Sequence, residues 1–399
     1  MDMEKKDSLW FYNLLTVTTA ILVVVFMVQF ITQNALKLWP DYTSMQSLSS
    51  PIAWIRWILG DMSEAQFYKS ELASLGLLIG AITAHMASVR KKNWKGFDLS
   101  YGTGLFPWIL FSSTLGLILS NILWGWTVIK TDQWQPTFVT FVSLPAAVVL
   151  MYGRGLKVAC VGAFLGAILV TPSSLLLVNY VCMPLNLPNI IGNVSGIALG
   201  SLIALFLLHK YPTLIAQSIE QNNTSSKEED LQSHTTHLTT QKYGPTWTIR
   251  RMLADFSEPQ FFANELAGLG YLIGVFLAIY LNPLSIAYGS GLIGKILIAQ
   301  VLSAGIAILV WRKKWELYGW YPTFIPISSV APAAVLVYQG SLTSIIVGAV
   351  LGAILAPPLA RKLSLLLANY QHPFIGNVLS MAFTTLLTVG VIGLIPTLS

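Results

Sequence analysis

Six residues have the types and the placement to handle a small solute inside a membrane: Glu71, Glu265, Asn193, Asn377, Pro145 and Pro332. Glu71 and Glu265 each stand at the start of an apolar segment. A carboxylate there either caps a helix, where the amino-terminal dipole favours it, or faces an interior cavity, because an ionisable group within a span is costly elsewhere. In the second role it binds substrate or couples protons or cations to movement. Asn193 and Asn377 each follow a glycine where the last span of their half begins. Their amides offer a polar solute both a donor and an acceptor, or else cap helices. Pro145 and Pro332 fall inside short apolar runs, where proline removes a backbone donor and crowds the preceding turn. They mark either plain kinks or broken helices around a central site. Pro172, Pro357 and Pro358 raise the same alternatives.

These candidates come in pairs because the chain uses one stretch twice. IRWILGDMSEAQFYKSELASLGLLIG from Ile55 to Gly80 aligns with IRRMLADFSEPQFFANELAGLGYLIG from Ile249 to Gly274. Arg56 matches Arg250, Asp61 matches Asp255, Glu64 matches Glu258, Gln66 matches Gln260, Phe67 matches Phe261 and Glu71 matches Glu265. Further on, Trp134-Gln-Pro-Thr-Phe138 matches Trp320-Tyr-Pro-Thr-Phe324, Pro145-Ala-Ala-Val148 matches Pro332-Ala-Ala-Val335, and Ile191-Gly-Asn-Val194 matches Ile375-Gly-Asn-Val378. Structural bias alone does not copy so many polar positions, so the sequence points to an internal duplication. Asp61, Glu64, Asp255 and Glu258 look like the solvated face of interfacial or re-entrant amphipathic helices.

Of the 399 residues, 54% are hydrophobic and 10% are charged, where a soluble domain carries about 25% charged. Mean hydropathy is +0.66. Too little polar material is present to cover a water-facing surface, so the chain is expected to be all-α and polytopic in a cell membrane. The net charge of +6 falls in short clusters between apolar runs, the pattern of cytoplasmic loops rather than of a nucleic-acid surface. Cys160 and Cys182 lie in or beside apolar segments and supply neither a disulfide framework nor a metal site. No cofactor or metal is expected.

Trp10 to Phe30 is long enough to cross a hydrocarbon core of ~30 Å and is expected to be a retained first helix. The first half then offers segments Glu71 to Val89, Gly102 to Trp124, Thr137 to Tyr152, Val158 to Val181 and Ile190 to Leu208. The second offers Ala263 to Leu281, Leu292 to Val310, Thr323 to Tyr338, Ile345 to Leu367 and Ile375 to Ile395. Hydropathy therefore predicts about 11 transmembrane helices. The expected organisation is an amino-terminal helix and loop over 1–50, a first membrane repeat over 51–212, a polar cytoplasmic linker over 213–243 and a second repeat over 244–399. With the amino terminus inside, Arg90 to Lys95, Arg154, Lys157, Arg312 to Lys314, Arg361 and Lys362 all fall in the cytoplasm. Matching loops carry opposite charge character, as two repeats of inverted topology would.

Glycine pairs Gly76 and Gly80, Gly162 and Gly166, Gly196 and Gly200, Gly270 and Gly274, and Gly348 and Gly352 stand at the spacing that lets helices approach closely in lipid. His85 has no counterpart in the second half, and His372 lies at a segment boundary. Asn193-Val-Ser195 and Asn223-Thr-Ser225 fit the glycosylation pattern, but a span and a cytoplasmic linker leave both unmodified. No nucleophile elbow, zinc-protease helix or phosphate-cradling loop occurs.

Each half opens with an amphipathic stretch leading into Leu-x-x-Leu-Gly-x-Leu-Ile-Gly, and each passes through a proline turn, Leu187-Pro-Asn-Ile190 and His372-Pro-Phe-Ile375. In these features the chain resembles the urea transporters, and in broad plan it is similar to uncharacterised bacterial membrane proteins built from two copies of one repeat. The first resemblance implies inverted five-span halves around a continuous pore for a small neutral solute, and assigns no site residues. The expectation is a transporter or channel for a small-molecule solute, with its site between the halves. It contacts the lipid bilayer and no nucleic acid, and a homo-oligomer is compatible with it. The competing expectation is a membrane enzyme or lipid-handling protein with a lateral groove.

Overall fold

A computed structural model describes residues 2–215 and 243–395, and these are all-helical, with no strand among them. Among the described residues eight helices are long and apolar enough to cross a membrane: Leu9–Gln33, Glu71–Val89, Phe106–Trp124, Leu156–Cys182, Asn189–Lys210, Ile293–Tyr318, Leu342–Leu365 and Phe374–Leu394. Three shorter apolar helices, Val139–Tyr152, Glu265–Leu281 and Ile325–Val337, accompany them. This is a multi-pass membrane protein. Most of the expected linker, residues 216–242 with Asn223, His234 and His237, lies outside the described residues.

The segments Thr137 to Tyr152 and Thr323 to Tyr338 are not the continuous spans expected from hydropathy. Each is broken at a serine: a tight turn over Val139–Val142 ends at Ser143, with φ −145° and ψ −126°, before the helix Leu144–Tyr152. Likewise a turn over Ile325–Ser328 ends at Ser329 before Val330–Val337. Pro145 and Pro332 therefore sit in first turns, where the missing donor costs nothing, and the break lies just ahead of them. Pro357 and Pro358 are carried inside the helix Leu342–Leu365. Pro172 lies between two widened turns, Gly166–Val170 and Val178–Cys182.

The helices Glu71–Val89 and Glu265–Leu281 cross back to back at their glycines. A Cβ on Gly76 would fall on the carbonyl oxygen of Gly270, and one on Gly270 would fall on that of Gly76. Gly80 lies on Leu266 and Ala267, while Gly274 lies on Leu72 and Ala73. Numbers that rise along one helix meet numbers that fall along the other, so the two helices run antiparallel. Glycine is needed here because only its bare backbone permits the approach. Each helix starts on a side-chain cap: Ser70 accepts from the Ala73 amide, and Asn264 from those of Leu266 and Ala267.

The loops ahead of the crossing are tied together in matching ways. Gln66 Nε2 donates to the Phe256 carbonyl at 2.8 Å, and Gln260 Nε2 to that of Met62 at 3.4 Å. The Ser100 amide donates to the Phe262 carbonyl at 3.0 Å, and the Ala287 amide to that of Tyr68 at 2.7 Å. Phe67 and Phe261 share a left-handed backbone, with φ of 64° and 63°. The amino-terminal helix, Asp2–Gln33, lies outside this arrangement, with Val17 on Gly305 and Val28 on Gly294.

Candidate functional site

A cavity of about 760 Å³ opens where the matching segments meet. Its walls come in pairs: Glu64 with Glu258, Phe67 with Phe261, Tyr288 with Tyr101, Trp134 with Trp320, Phe138 with Phe324, and Asn193 with Asn377. Asn193 is 4% exposed, and its Oδ1 has no hydrogen-bond partner. Asn377 is 8% exposed. His372 also lines the cavity, packed against Phe261 and Phe374, and partial burial lowers its pKa, which keeps the ring neutral.

Of the six residues singled out in the sequence, the two asparagines reach this cavity and four do not. Glu71 and Glu265 stay at their helix starts. Glu71 Oε1 accepts from Arg56 Nε at 2.6 Å and Trp39 Nε1 at 2.7 Å. Glu265 accepts from Arg250 Nε at 2.7 Å and the Phe97 amide at 2.6 Å. Each is paired with its arginine at a helix amino terminus, where the dipole favours a carboxylate, and neither carboxylate lines the cavity. Pro145 packs its ring beside Gly116 and Gly166, and Pro332 is buried one residue before the lining Ala333. Their contribution is to start the short helices that form one wall.

The expectation that Asp61, Glu64, Asp255 and Glu258 form a solvated face is overturned. All four are buried, at 0%, 2%, 0% and 2% exposure. In the first half Asp61 pairs with Lys69, and its Oδ2 accepts from Thr137 Oγ1 and Asn121 Nδ2, both at 2.8 Å. Glu64 Oε2 lies 3.7 Å from Lys69 Nζ. Its Oε1 accepts from Trp134 Nε1 at 2.9 Å and from the Tyr288 hydroxyl at 2.5 Å. In the second half Arg251 pairs with both Asp255 and Glu258. Thr323 Oγ1 donates to Asp255 at 2.8 Å, and Trp320 Nε1 to Glu258 at 2.7 Å. Tyr101 stands edge-on to Trp320, with ring centroids 6.5 Å apart. Buried carboxylates survive in a low-dielectric interior only when paired and hydrogen-bonded. Both acid pairs are paired with a cation and hydrogen-bonded, but Glu258 Oε2 accepts directly from Arg251, whereas Glu64 Oε2 has the longer ion pair to Lys69 and no hydrogen bond.

The cation arrives from different places in the two halves. Lys69 aligns with Ala263, and Arg251 aligns with Trp57. Lys69 Nζ sits 3.4 Å from the centroid of Trp57, whose Nε1 donates to Thr137 at 3.0 Å. Arg251 sits 4.9 Å from the centroid of Trp315, whose Nε1 donates to Thr323 at 3.3 Å. Trp315 lies four residues beyond Trp311 as the buried Val128 lies four beyond Trp124, and Trp311 and Trp124 make equivalent bonds to Ala353 and Ala167. Three exchanges, at 57/251, 69/263 and 128/315, therefore leave the same assembly standing: two carboxylates, one cation, one indole beneath it and one threonine.

Sequence reasoning missed these clusters, although part of the signal was there. Asp61, Glu64, Trp134 and Thr137 are retained in both copies while nearby positions differ, which a solvated face would not require. The cations were invisible because they do not align. Among the described residues no group of three His, Cys, Asp or Glu side chains could hold a metal ion, and Cys160 and Cys182 are free thiols. No known protein family, curated protein or solved structure matches this chain.

Proposed function

We propose that the chain is a membrane transport protein, a transporter or channel, that passes a small solute through the central cavity between two five-helix repeats of opposite orientation. The antiparallel glycine crossing supports the inversion, and so does the loop charge, which puts the amino terminus and the linker in the cytoplasm. Broken helices at matching Ser143 and Ser329, next to a cavity lined by both halves, fit the plan of many transporters, where irregular backbone is tolerated beside a polar interior. A central route between two halves also agrees in plan with the urea transporters.

The observation that carries the function is the asparagine pair: Asn193 and Asn377 line the cavity from matching places in the two halves, and each amide has a donor and an acceptor to offer. A polar solute would engage them. The test is light scattering from liposomes containing the purified protein, challenged with a panel of small neutral and charged solutes. Flux of at least one solute above protein-free liposomes is expected, reduced at least tenfold by Asn193→Trp combined with Asn377→Trp. A folded protein that passes nothing in the panel would favour a lipid-handling or enzymatic role.

A further inference from the structure

We propose that this cavity selects small organic cations of the alkylammonium type. The inference deepens the transport reading and rests on it for the solute's passage, but not for its binding. Three observations converge. First, among the described residues no lysine or arginine lines the cavity, whereas two glutamates do. Behind the lining, each half buries two carboxylates against one cation, Asp61 and Glu64 with Lys69, and Asp255 and Glu258 with Arg251. Burial pushes the Glu64 and Asp255 carboxyls up to about 7, so above that pH each half carries one negative charge in excess, beside one low-dielectric space. An anion would enter against them, and a cation would gain from them.

Second, one oxygen of each glutamate is taken up by the aromatic lining. Glu64 Oε1 is occupied by the indole N–H of Trp134 and the hydroxyl of Tyr288, and Glu258 Oε1 by the indole N–H of Trp320. These bonds turn the polar edges of the rings to the carboxylates and leave the aromatic bodies as cavity wall. Phe67, Phe261, Phe138 and Phe324 extend that wall. A ring that donates to an anion carries a more negative face, and an aromatic wall of this kind attracts a cation that has shed its water. Alkylammonium ions are easily dehydrated and present greasy positive surface, so they suit such a wall better than a small metal cation.

Third, Asn193 and Asn377 line the same space at matching places in the two halves. An amide side chain has an oxygen that complements a positive group or an N–H, and it would direct one end of the solute.

The test measures binding to the purified full-length protein in detergent by calorimetry, with tetramethylammonium, acetamide and acetate as probes. Saturable tetramethylammonium binding is expected, with acetate not binding and acetamide at least tenfold weaker. Glu64→Gln with Glu258→Gln removes the charge but can still accept from the tryptophans, and should weaken tetramethylammonium at least tenfold. Trp134→Phe with Trp320→Phe keeps a ring and removes the N–H, and should weaken it too, in protein that elutes and melts like the parent. Acetamide binding as tightly as tetramethylammonium, or binding indifferent to the glutamine pair, would overturn the proposal. In liposomes, flux of acetamide without tetramethylammonium would leave transport standing and remove the cation selectivity. Tetramethylammonium binding without flux of any solute would keep this site and remove transport.

Discussion

Lys69→Ala is expected to be among the most damaging single substitutions in the protein. Lys69 is fully buried beneath two carboxylates, and removing one partner of a buried ion pair costs about 3–5 kcal/mol because the other charge is stranded. Asp61 would keep Thr137 and Asn121, but Glu64 would lose the cation beside it. Thermal melts followed by size-exclusion chromatography should show a large drop in melting temperature or loss of the folded peak. The second half already contains the compensation. Trp57→Arg and Val128→Trp, added to Lys69→Ala, rebuild in the first half the arrangement of Arg251, Trp315 and Ala263, and should recover most of the lost stability. A Lys69→Ala protein that melts like the parent would show that the cation does not hold the cluster together.

The second large effect is expected at the glycine crossing. A side chain at Gly76 or Gly270 meets the partner's carbonyl, not a rotatable side chain, so nothing can swing aside and the helices must separate. Overpacking of a close-packed interior typically costs about 1–3 kcal/mol. Backbone against backbone puts Gly76→Leu and Gly270→Leu at the upper end or beyond. Function should fall with stability, because Glu64 to Phe67 and Glu258 to Phe261 lead directly into these two helices and form the cavity wall. Gly390 supplies the control: it lies in the helix Phe374–Leu394 with nothing within 4 Å of an added Cβ. Gly390→Ala should melt at or above the parent temperature. Equal tolerance at Gly76 and Gly390 would refute the close crossing.

How much of this was legible beforehand depends on whether a residue's role is local or relational. Spans such as Glu71 to Val89 and the bare stripe of Gly76, Gly80, Gly270 and Gly274 follow from hydropathy and size, properties a residue carries with it. Asn193 and Asn377 could be placed in the site because they recur at a matching helix start. Glu71 and Glu265 looked equally functional, since a carboxylate at the head of a span reads the same whether or not an arginine sits beside it. The arginines were in view at 56 and 250, but the fold that brings them back over the helix start was not. The polar faces of Pro51–Asp61 and Pro245–Asp255 have the pattern of helices on a membrane surface. They turn inward because Lys69, Arg251 and the tryptophans of distant segments give their acids partners. Ser143 and Ser329 broke helices that periodicity alone extends, and the neighbouring prolines marked the place without making the break.

The route itself can be probed most directly with single cysteines in liposomes of known orientation, after Cys160 and Cys182 are changed to serine. Asn377→Cys should react with a small, charged, membrane-impermeant thiol reagent added from either face, whereas Lys92→Cys, on an exposed loop, should react from the cytoplasmic face alone. Reaction of Asn377→Cys with a lipophilic reagent only, from neither aqueous face, would contradict a solute path between the two halves.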